Sequence, residues 1–542
     1  MRDDVYGERA RVVMIRFDII VVNANIGPQN GLQRLDFRLL LLVNAHAPRD
    51  FQVMLLLALA SFAFPHRRPG QARHGLPTPS CQHSTVTPRG PGAGAVFQFT
   101  ERSCSPGCCP RCRLQSTAAG RSCHAAAAPD GFCQPTQSPR GFRVAAVDRR
   151  PWAMISLPRL LCIRGGARRE IGSALDQFGI RRPLLITDKF MVKAGHAGEL
   201  VELASDVCPN MDVFDETVPE PTSYCLEHAL NVFRQGGYDG IVALGGGSPI
   251  DLAKAVSVIG HDDLDLSKYR APNNPAPGYP VVALPTTAGT GSEVTKATVI
   301  TDSKTHEKIL CMAPAFQPVA ALVDYEYTMS CPKTLTSHTG LDALTHAIES
   351  YVSRKRNGFS DALALAAMGA IGKHIRTACT EPTNRTAREA MMLGATQAGM
   401  AFSNASVALV HGMARPLGAH FGIPHGLSNA MLLPVVTGFS VQADVARYAA
   451  CARAMGIDVQ KGADLRAVEL LLEELVRLNH DLHIPTPKQY GVDHERYFRL
   501  VPLMVDQAIA SGSPGNNPRI ATASEMFELY TDAYTHDEYA FA

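Results

Sequence analysis

The spacing of apolar and polar positions changes twice along the chain. Up to about residue 150 no period persists, and segments such as "PHRRPGQARHGLPTPS" and "GRSCHAAAAPDGFCQPTQSPRG" are dominated by proline, glycine, serine and arginine. Such composition buries too little apolar surface to offset chain entropy, so residues 1–150 are expected to form a low-complexity, disordered extension. From about Ile155 short apolar runs alternate with helical spacing. Leu184–Thr187 and "MDVFDETV" predict strands, and "CLEHALNVFRQGG" predicts a helix ending at Gly236-Gly237. "YDGIVALGGGSPIDLAKAVSVIG" reads as strand, glycine turn and helix, and "YPVVALPTTAGTGSEVT" as strand and small-residue loop. Strands alternating with helices indicate parallel βαβ architecture.

After about Leu335 the strand pattern stops. "GLDALTHAIESYVS", "DALALAAMGAIGKHIRTACT", "TAREAMMLGATQAGMAFSNASVALVHGMA" and "DLRAVELLLEELVRLNHDLHIP" are helical by composition and period. The expected organisation is an α/β domain over 151–334, then an all-α domain over 335–542. A cleft between two such domains is a usual place for a small-molecule site.

Composition narrows the partners. The 542 residues carry 52 basic and 50 acidic side chains, a balance that argues against nucleic acid or an acidic membrane surface. No apolar run reaches the roughly 20 residues of a membrane-spanning helix; the best candidate is Phe51–Phe64. Of the 14 cysteines, most lie singly, which suits a reducing intracellular compartment, cytoplasmic or mitochondrial. The exception is "CSPGCCPRC", where Cys104, Cys108, Cys109 and Cys112 either form a metal knot or belong to an unstructured tract.

Two stretches carry candidate chemistry. In "IVALGGGSPIDLAKA" the strand is expected to end at Leu244. Gly245, Gly246 and Gly247 then allow a sharp bend and close backbone approach. Ser248 suits the N-cap and Pro249 the first helical position. The free N–H groups of the helix start suit a pyrophosphate, and Asp251 falls in the first turn, where a carboxylate is favoured. The loop Pro285–Glu293 follows a second strand and supplies hydroxyls. The other stretch is "LVHGMARPLGAHFGIPHGLSNA", with two His-Gly pairs, His411-Gly412 and His425-Gly426. Upstream, Asp342 and His346 are four apart and share one helix face. Asp342, His346, His411 and His425 together offer one oxygen and three nitrogens, a set for Fe²⁺, Zn²⁺, Co²⁺ or Mn²⁺. His338 and His420 are also close in sequence, so spacing alone does not force the choice.

"GGGSPID", "LPTTAGTGSEVT", "GLDALTHAIE" and "HGMARPLGAHFGIPHG", in this order, resemble the iron-containing (group III) alcohol dehydrogenase family. "TDK" at 187–189, "VPEPT" at 218–222 and "GNNPR" at 515–519 fit as well. The resemblance runs from about Ile155 to the C-terminus. It implies a dehydroquinate synthase-like fold, in which 151–334 is the dinucleotide-binding domain and 335–542 the metal-binding domain, and a metal bound by Asp342, His346, His411 and His425, Fe²⁺ first and Zn²⁺ second. It further implies a pyrophosphate loop at Gly245–Ser248, a second cofactor loop at Thr286, Thr287 and Thr290, and Lys308 at the cofactor ribose. Asp188 matches the position that favours NAD over NADP. The implied activity is hydride transfer between nicotinamide and a small primary alcohol, diol or aldehyde, and a homo-oligomer is expected.

Two positions depart from the family pattern. Glu220 stands where several members have asparagine, which reads as tolerated variation. Arg415 stands where many carry a histidine four residues after the third ligand. Arginine stays charged and cannot relay a proton. It would either pair with a substrate carboxylate, making a hydroxy-acid dehydrogenase or transhydrogenase the alternative, or form an ion pair at the domain interface.

Overall fold

The structure is a computed structural model that describes residues 153–535 apart from 263 and 306. The expected extension 1–150, the Phe51–Phe64 run and the Cys104–Cys112 cluster lie outside the described residues. In the first half the strands are β1 (Leu160–Ile163), β2 (Pro183–Ile186), β3 (Asp212–Phe214), β4 (Gly240–Gly245), β5 (Val281–Pro285), β6 (Ala297–Thr301), β7 (Lys308–Met312) and β8 (Ala320–Val323). Between them run the helices α1 (Ile171–Gln177), α2 (Lys189–Lys193), α3 (His196–Ala204), α4 (Ser223–Gly236) and α5 (Gly247–Ile259).

Six strands form one parallel sheet in the order β1-β8-β5-β4-β2-β3. Every residue of β2, β4, β5 and β8 is buried. That explains why these strands read as continuous apolar runs instead of alternating ones: a parallel sheet is covered on both faces. Alternate residues of β4 enter different cores. Ile241 and Ala243 pack with α4 and α5, while Val242 and Leu244 pack with α1 and α3. From β2 the chain moves to β3 on one side, and from β4 to β5 on the other. The carboxyl ends of β2 and β4 therefore flank a topological switch point, the usual crevice for a ligand in an open α/β sheet.

The second half is helical: α6 (Lys333–Val352), α7 (Gly358–Thr380), α8 (Arg385–Asn404), α9 (Leu409–Phe421), α10 (His425–Ser440), α11 (Val445–Ala454), α12 (Asp464–Asp481), α13 (His494–Ala510) and α14 (Ala523–Thr535). They share one core, with Leu344, Met368, Met413, Leu432 and Tyr530 fully buried. Among the described residues no helix is long and apolar enough to cross a membrane.

The structure differs from the sequence reading at three places. The long stretch from Thr386 is not one helix: it breaks between α8 and α9 at 405–408, so His411 starts a new direction. The helix after the glycines begins at Gly247 with Gly246 as N-cap, before Ser248, whose hydroxyl instead accepts the Glu220 N–H at 3.1 Å. The antiparallel hairpin β6–β7, which carries Lys308, gave no clear sequence signal.

Candidate active site

The glycine turn lies at the end of β4. Gly245 pairs with Pro285 across β4–β5, so the glycine turn and the threonine loop leave the sheet side by side. Gly245 has φ +151, and a Cβ there would sit 2.5 Å from Pro249 Cγ, so glycine is required. Thr286 donates its N–H to the Gly245 carbonyl at 2.9 Å. A Cβ on Gly246 would come within 3.4 Å of Thr287 Oγ1, and one on Gly247 within 3.0 Å of Thr290 Cγ2. Gly246 and Gly247 therefore leave their bare backbone under the hydroxyls of Thr287 and Thr290. The N–H groups of α5 open into the same place.

Asp251 has another task. Its carboxylate accepts Ser292 Oγ at 2.5 Å and the Val299 N–H at 2.9 Å. These donors, rather than a phosphate-facing role, occupy the oxygens, and Asp251 fixes the loop and hairpin behind the turn. At the switch point, Asp188 Oδ1 caps α2 by accepting the N–H groups of Phe190 at 2.9 Å and Met191 at 3.0 Å. Its Oδ2 has no hydrogen-bond partner among the described residues. Lys308 Nζ is 2.7 Å from Glu220 Oε1, so Glu220, which has φ 53, is the counter-ion of the lysine.

On the helical side, Asp342 and His346 share one face of α6, His411 lies in the first turn of α9, and His425 begins α10. Asp342, His346 and His411 each bring a ligand atom within 4.8 Å of the others. His411 Nε2 is 3.6 Å and His425 Nε2 3.8 Å from Asp342 Oδ1, and His346 Nδ1 is 4.0 Å from Oδ2. Two donors about 2.1 Å from one tetrahedral ion lie about 3.4 Å apart, so these separations fit a shared cation with small adjustment. His346 Nδ1 and His411 Nε2 are buried without a hydrogen-bond partner. Buried polar atoms are rarely left so, and here a metal would satisfy both.

Protonation agrees. Burial would raise Asp342, but His346, His425 and His411 hold it well below the usual carboxylate range. Burial lowers His346 to about 4 against the pull of Asp342, and lowers His425 to about 3, with His411 and Lys308 adding repulsion. An ionised carboxylate beside neutral imidazoles is the state a divalent cation needs. His411 is the exception: it is raised against burial, chiefly by Glu349 and Asp342.

Glu349 was not singled out in the sequence. It lies seven residues, two helical turns, beyond Asp342 on the same helix. Its Oε2 accepts from His411 Nδ1 and its Oε1 from the Val410 N–H, each at 2.6 Å. This fixes the tautomer that turns the Nε2 lone pair toward Asp342 and His346. Asn429, four residues after His425, donates to Asp342 Oδ1 at 2.7 Å and lies 3.3 Å from His425 Nε2. Helical spacing from the candidate ligands was the signal for both. His338 and His420 do not join the cluster; His420 Nε2 lies 2.8 Å from Gln507 Oε1.

Arg415 was expected to face substrate or to form an interface ion pair. Among the described residues no ion pair or hydrogen bond engages it. Burial lowers its pKa, with only Glu349 opposing.

The iron-containing alcohol dehydrogenase family matches residues 158–325, and the C-terminal part of the Fe-containing alcohol dehydrogenase family matches 336–534. Lactaldehyde reductase of Escherichia coli (strain K12) is 36% identical over 375 residues, 68% of this chain and 96% of that one. The NAD-dependent methanol dehydrogenase of Bacillus methanolicus is 32% identical over 379 residues, 70% and 98% of the two chains. A crystal structure of 1,3-propanediol oxidoreductase superposes with a TM-score of 0.68 at 32% identity, covering 71% of this chain and all of that one. The two halves described above, with their glycine turn and histidine cluster, are thus matched over nearly the full length of these relatives, and the chain belongs to the iron-containing alcohol dehydrogenase family.

Proposed function

We propose that the protein is an NAD-linked, metal-dependent alcohol dehydrogenase acting on a small alcohol, diol or the matching aldehyde. The observation that carries this reading is the convergence of Asp342, His346 and His411 with two partnerless imidazole nitrogens, and His425 Nε2 3.8 Å from the same carboxylate. These four residues would hold the metal, Fe²⁺ or Zn²⁺. A metal there supplies a Lewis acid that favours the alkoxide over the alcohol. The chain's own part is placement. Glu349 and Asn429 orient His411, Asp342 and His425. Gly245, Gly246, Gly247, Ser248, Thr286, Thr287 and Thr290 would hold the pyrophosphate side of NAD. The Asp188 carboxylate would accept from the adenosine ribose hydroxyls and repel a 2′-phosphate, the electrostatic logic of an acidic residue at a dinucleotide site. Lys308, partnered by Glu220, would reach the cofactor ribose.

Residues 151–334 would then be the cofactor domain and 335–542 the metal domain, with 1–150 outside the enzyme proper. Relatives named for lactaldehyde, methanol and 1,3-propanediol support small alcohols or aldehydes as the substrate class. Seven free cysteines among the described residues suit a reducing compartment, and we infer a homo-oligomer. The test is absorbance at the NADH band with a panel of short alcohols and aldehydes, with and without added Fe²⁺ or Zn²⁺. Metal-dependent NADH formation or consumption is expected. Its absence for every substrate with both metals would overturn the reading.

A further inference from the structure

Arg415 is the charged group that the reading above leaves without a task. It lies on α9 four residues after His411 and three before Gly418. At about 100° per residue, these three positions fall on one stripe of the helix, with Arg415 in the middle. At one end of the stripe, His411 joins the cluster with Asp342 and His346. At the other end, a Cβ on Gly418 would stand 4.0 Å from Lys308 Nζ. The stripe therefore runs from the candidate metal to the candidate cofactor lysine. Side chains on a helix leave it tilted toward its N-terminus, so the Arg415 stem leans toward His411.

No acidic side chain or carbonyl pairs with this guanidinium among the described residues. Glu349 is the sole group opposing its desolvation, and both Glu349 oxygens are taken by His411 and Val410. Arg415 is half-buried, and a partly desolvated cation without a partner is costly, whereas Lys308 has Glu220, and Lys254 has Ser292, Thr295 and the Ala297 carbonyl. The counter-charge missing at Arg415 is one that arrives with a ligand.

Resting on the dehydrogenase reading, we propose that Arg415 anchors an anionic end group of the substrate, so that the preferred substrate is a short aldehyde carrying a carboxylate. The guanidinium fork matches a carboxylate in bidentate geometry. One turn of helix separates its stem from His411, about 5–6 Å between Cβ atoms, so the anion and the reacting carbonyl are separated by only a few carbons. In the reaction, hydride leaves NADH and bonds to the carbonyl carbon, the C=O π pair moves to oxygen, and a solvent proton completes the hydroxyl. NADH is oxidised to NAD⁺, the oxo acid is reduced to a hydroxy acid, and the carboxylate stays on Arg415 unchanged.

The experiment compares 4-oxobutanoate with its neutral methyl ester as substrates for NADH oxidation by the metal-loaded protein. Wild type, Arg415→Met and Arg415→Lys are measured side by side. Loss of one charge-assisted contact is expected to lower the acid-to-ester ratio of kcat/KM by roughly ten- to a hundred-fold in Arg415→Met, with partial recovery in Arg415→Lys. Independently of turnover, calorimetric titration of the NADH-bound protein with succinate, which cannot be reduced, is expected to show a similar weakening in Arg415→Met. An unchanged acid-to-ester ratio together with unchanged succinate affinity overturns the proposal. So does a loss of NADH affinity in Arg415→Met that accounts for the whole effect, because the guanidinium would then serve a cofactor phosphate. If neither aldehyde is reduced by wild type, the dehydrogenase reading fails, and the succinate titration still decides whether Arg415 holds an anion.

Discussion

Replacing Glu349 with glutamine should cost the protein its metal while leaving the fold standing. The carboxylate receives two donors, His411 Nδ1–H and the Val410 N–H, one on each oxygen and each at 2.6 Å. Glutamine keeps the shape but can accept on one side only. Val410 is backbone and cannot change its donor, so the glutamine oxygen should turn to it. The amide NH₂ then faces His411 Nδ1. To avoid two opposed donors the imidazole must shift its proton to Nε2, the atom that lies 3.6 Å from Asp342 Oδ1. A protonated Nε2 is no ligand. Removing such a histidine partner typically costs roughly 10- to 100-fold in metal affinity, about 1.4–2.8 kcal/mol at 1.4 kcal/mol per decade.

The assay is competition for Zn²⁺ against a chelator of known affinity, at a pH where free imidazole is neutral, with thermal unfolding of the metal-free protein as the control. The expected result is a ten-fold or larger loss of affinity with little change in the metal-free melting temperature. Glu349→Asp, which restores two acceptors on a shorter stem, should recover part of it. Wild-type metal affinity in Glu349→Gln would refute the tautomer argument, whatever the activity did.

Three further outcomes are expected. Asp188→Asn keeps an oxygen for the α2 cap but removes the charge, so the kcat/KM ratio for NAD over NADP should fall at unchanged stability; an unmoved ratio means that Asp188 is not the selector. In Gly426→Ala the new Cβ would lie 2.5 Å from the His338 carbonyl oxygen, a backbone atom that cannot swing away, so the start of α10 and with it His425 must shift. About 1–3 kcal/mol of stability and most of the bound metal should be lost, and a variant with normal metal content and unfolding temperature would contradict this. A chain beginning at Ala153 retains every described element and should keep full NADH-linked activity, measured against the full-length protein; an insoluble or inactive product would show that the first 152 residues are needed.

The sequence made the fixed points of the fold legible because those points obey local rules. A buried parallel strand is a continuous apolar run, a helix in a large core keeps its period, and a glycine turn between them is explicit in the residues. The candidate ligand set was legible because Asp342 and His346 share a helical face and the two His-Gly pairs stand out. What was missed depends on contacts that spacing does not encode. Whether Ser248 caps a helix or binds the Glu220 N–H depends on a segment 28 residues away. Asp251 was expected in a first turn that could face a phosphate, yet the helix starts early enough to leave it beyond that turn, and Ser292 and Val299 claim it from 41 and 48 residues further along the chain. The break at 405–408 contains neither glycine nor proline, so no local breaker announced it.

The loop 286–294 explains how two separately legible halves become one site. At its start Thr286 bonds to the glycine turn. A Cβ on Gly289 would lie 2.5 Å from Thr339 Cβ on α6, one helical turn before Asp342. Gly291 has φ +61, and its own Cβ would lie 2.5 Å from Gly399 Cα on α8. Glu293, buried, accepts Thr396 Oγ1 of α8 at 2.9 Å. Lys254, fully buried on α5, donates to Ser292 Oγ at 2.8 Å and to Thr295 Oγ1 at 3.0 Å. One loop of small residues therefore sets the spacing between the glycine turn and the candidate metal ligands. Hydride transfer needs its reacting atoms about 3–3.5 Å apart, and a 1 Å error can cost about a hundred-fold in rate. Larger side chains at Gly289 or Gly291 would wedge the halves apart by that order. The buried Lys254 and Glu293 and the half-buried Asp251 are expensive to desolvate as charges, and that cost goes into holding this one spacing.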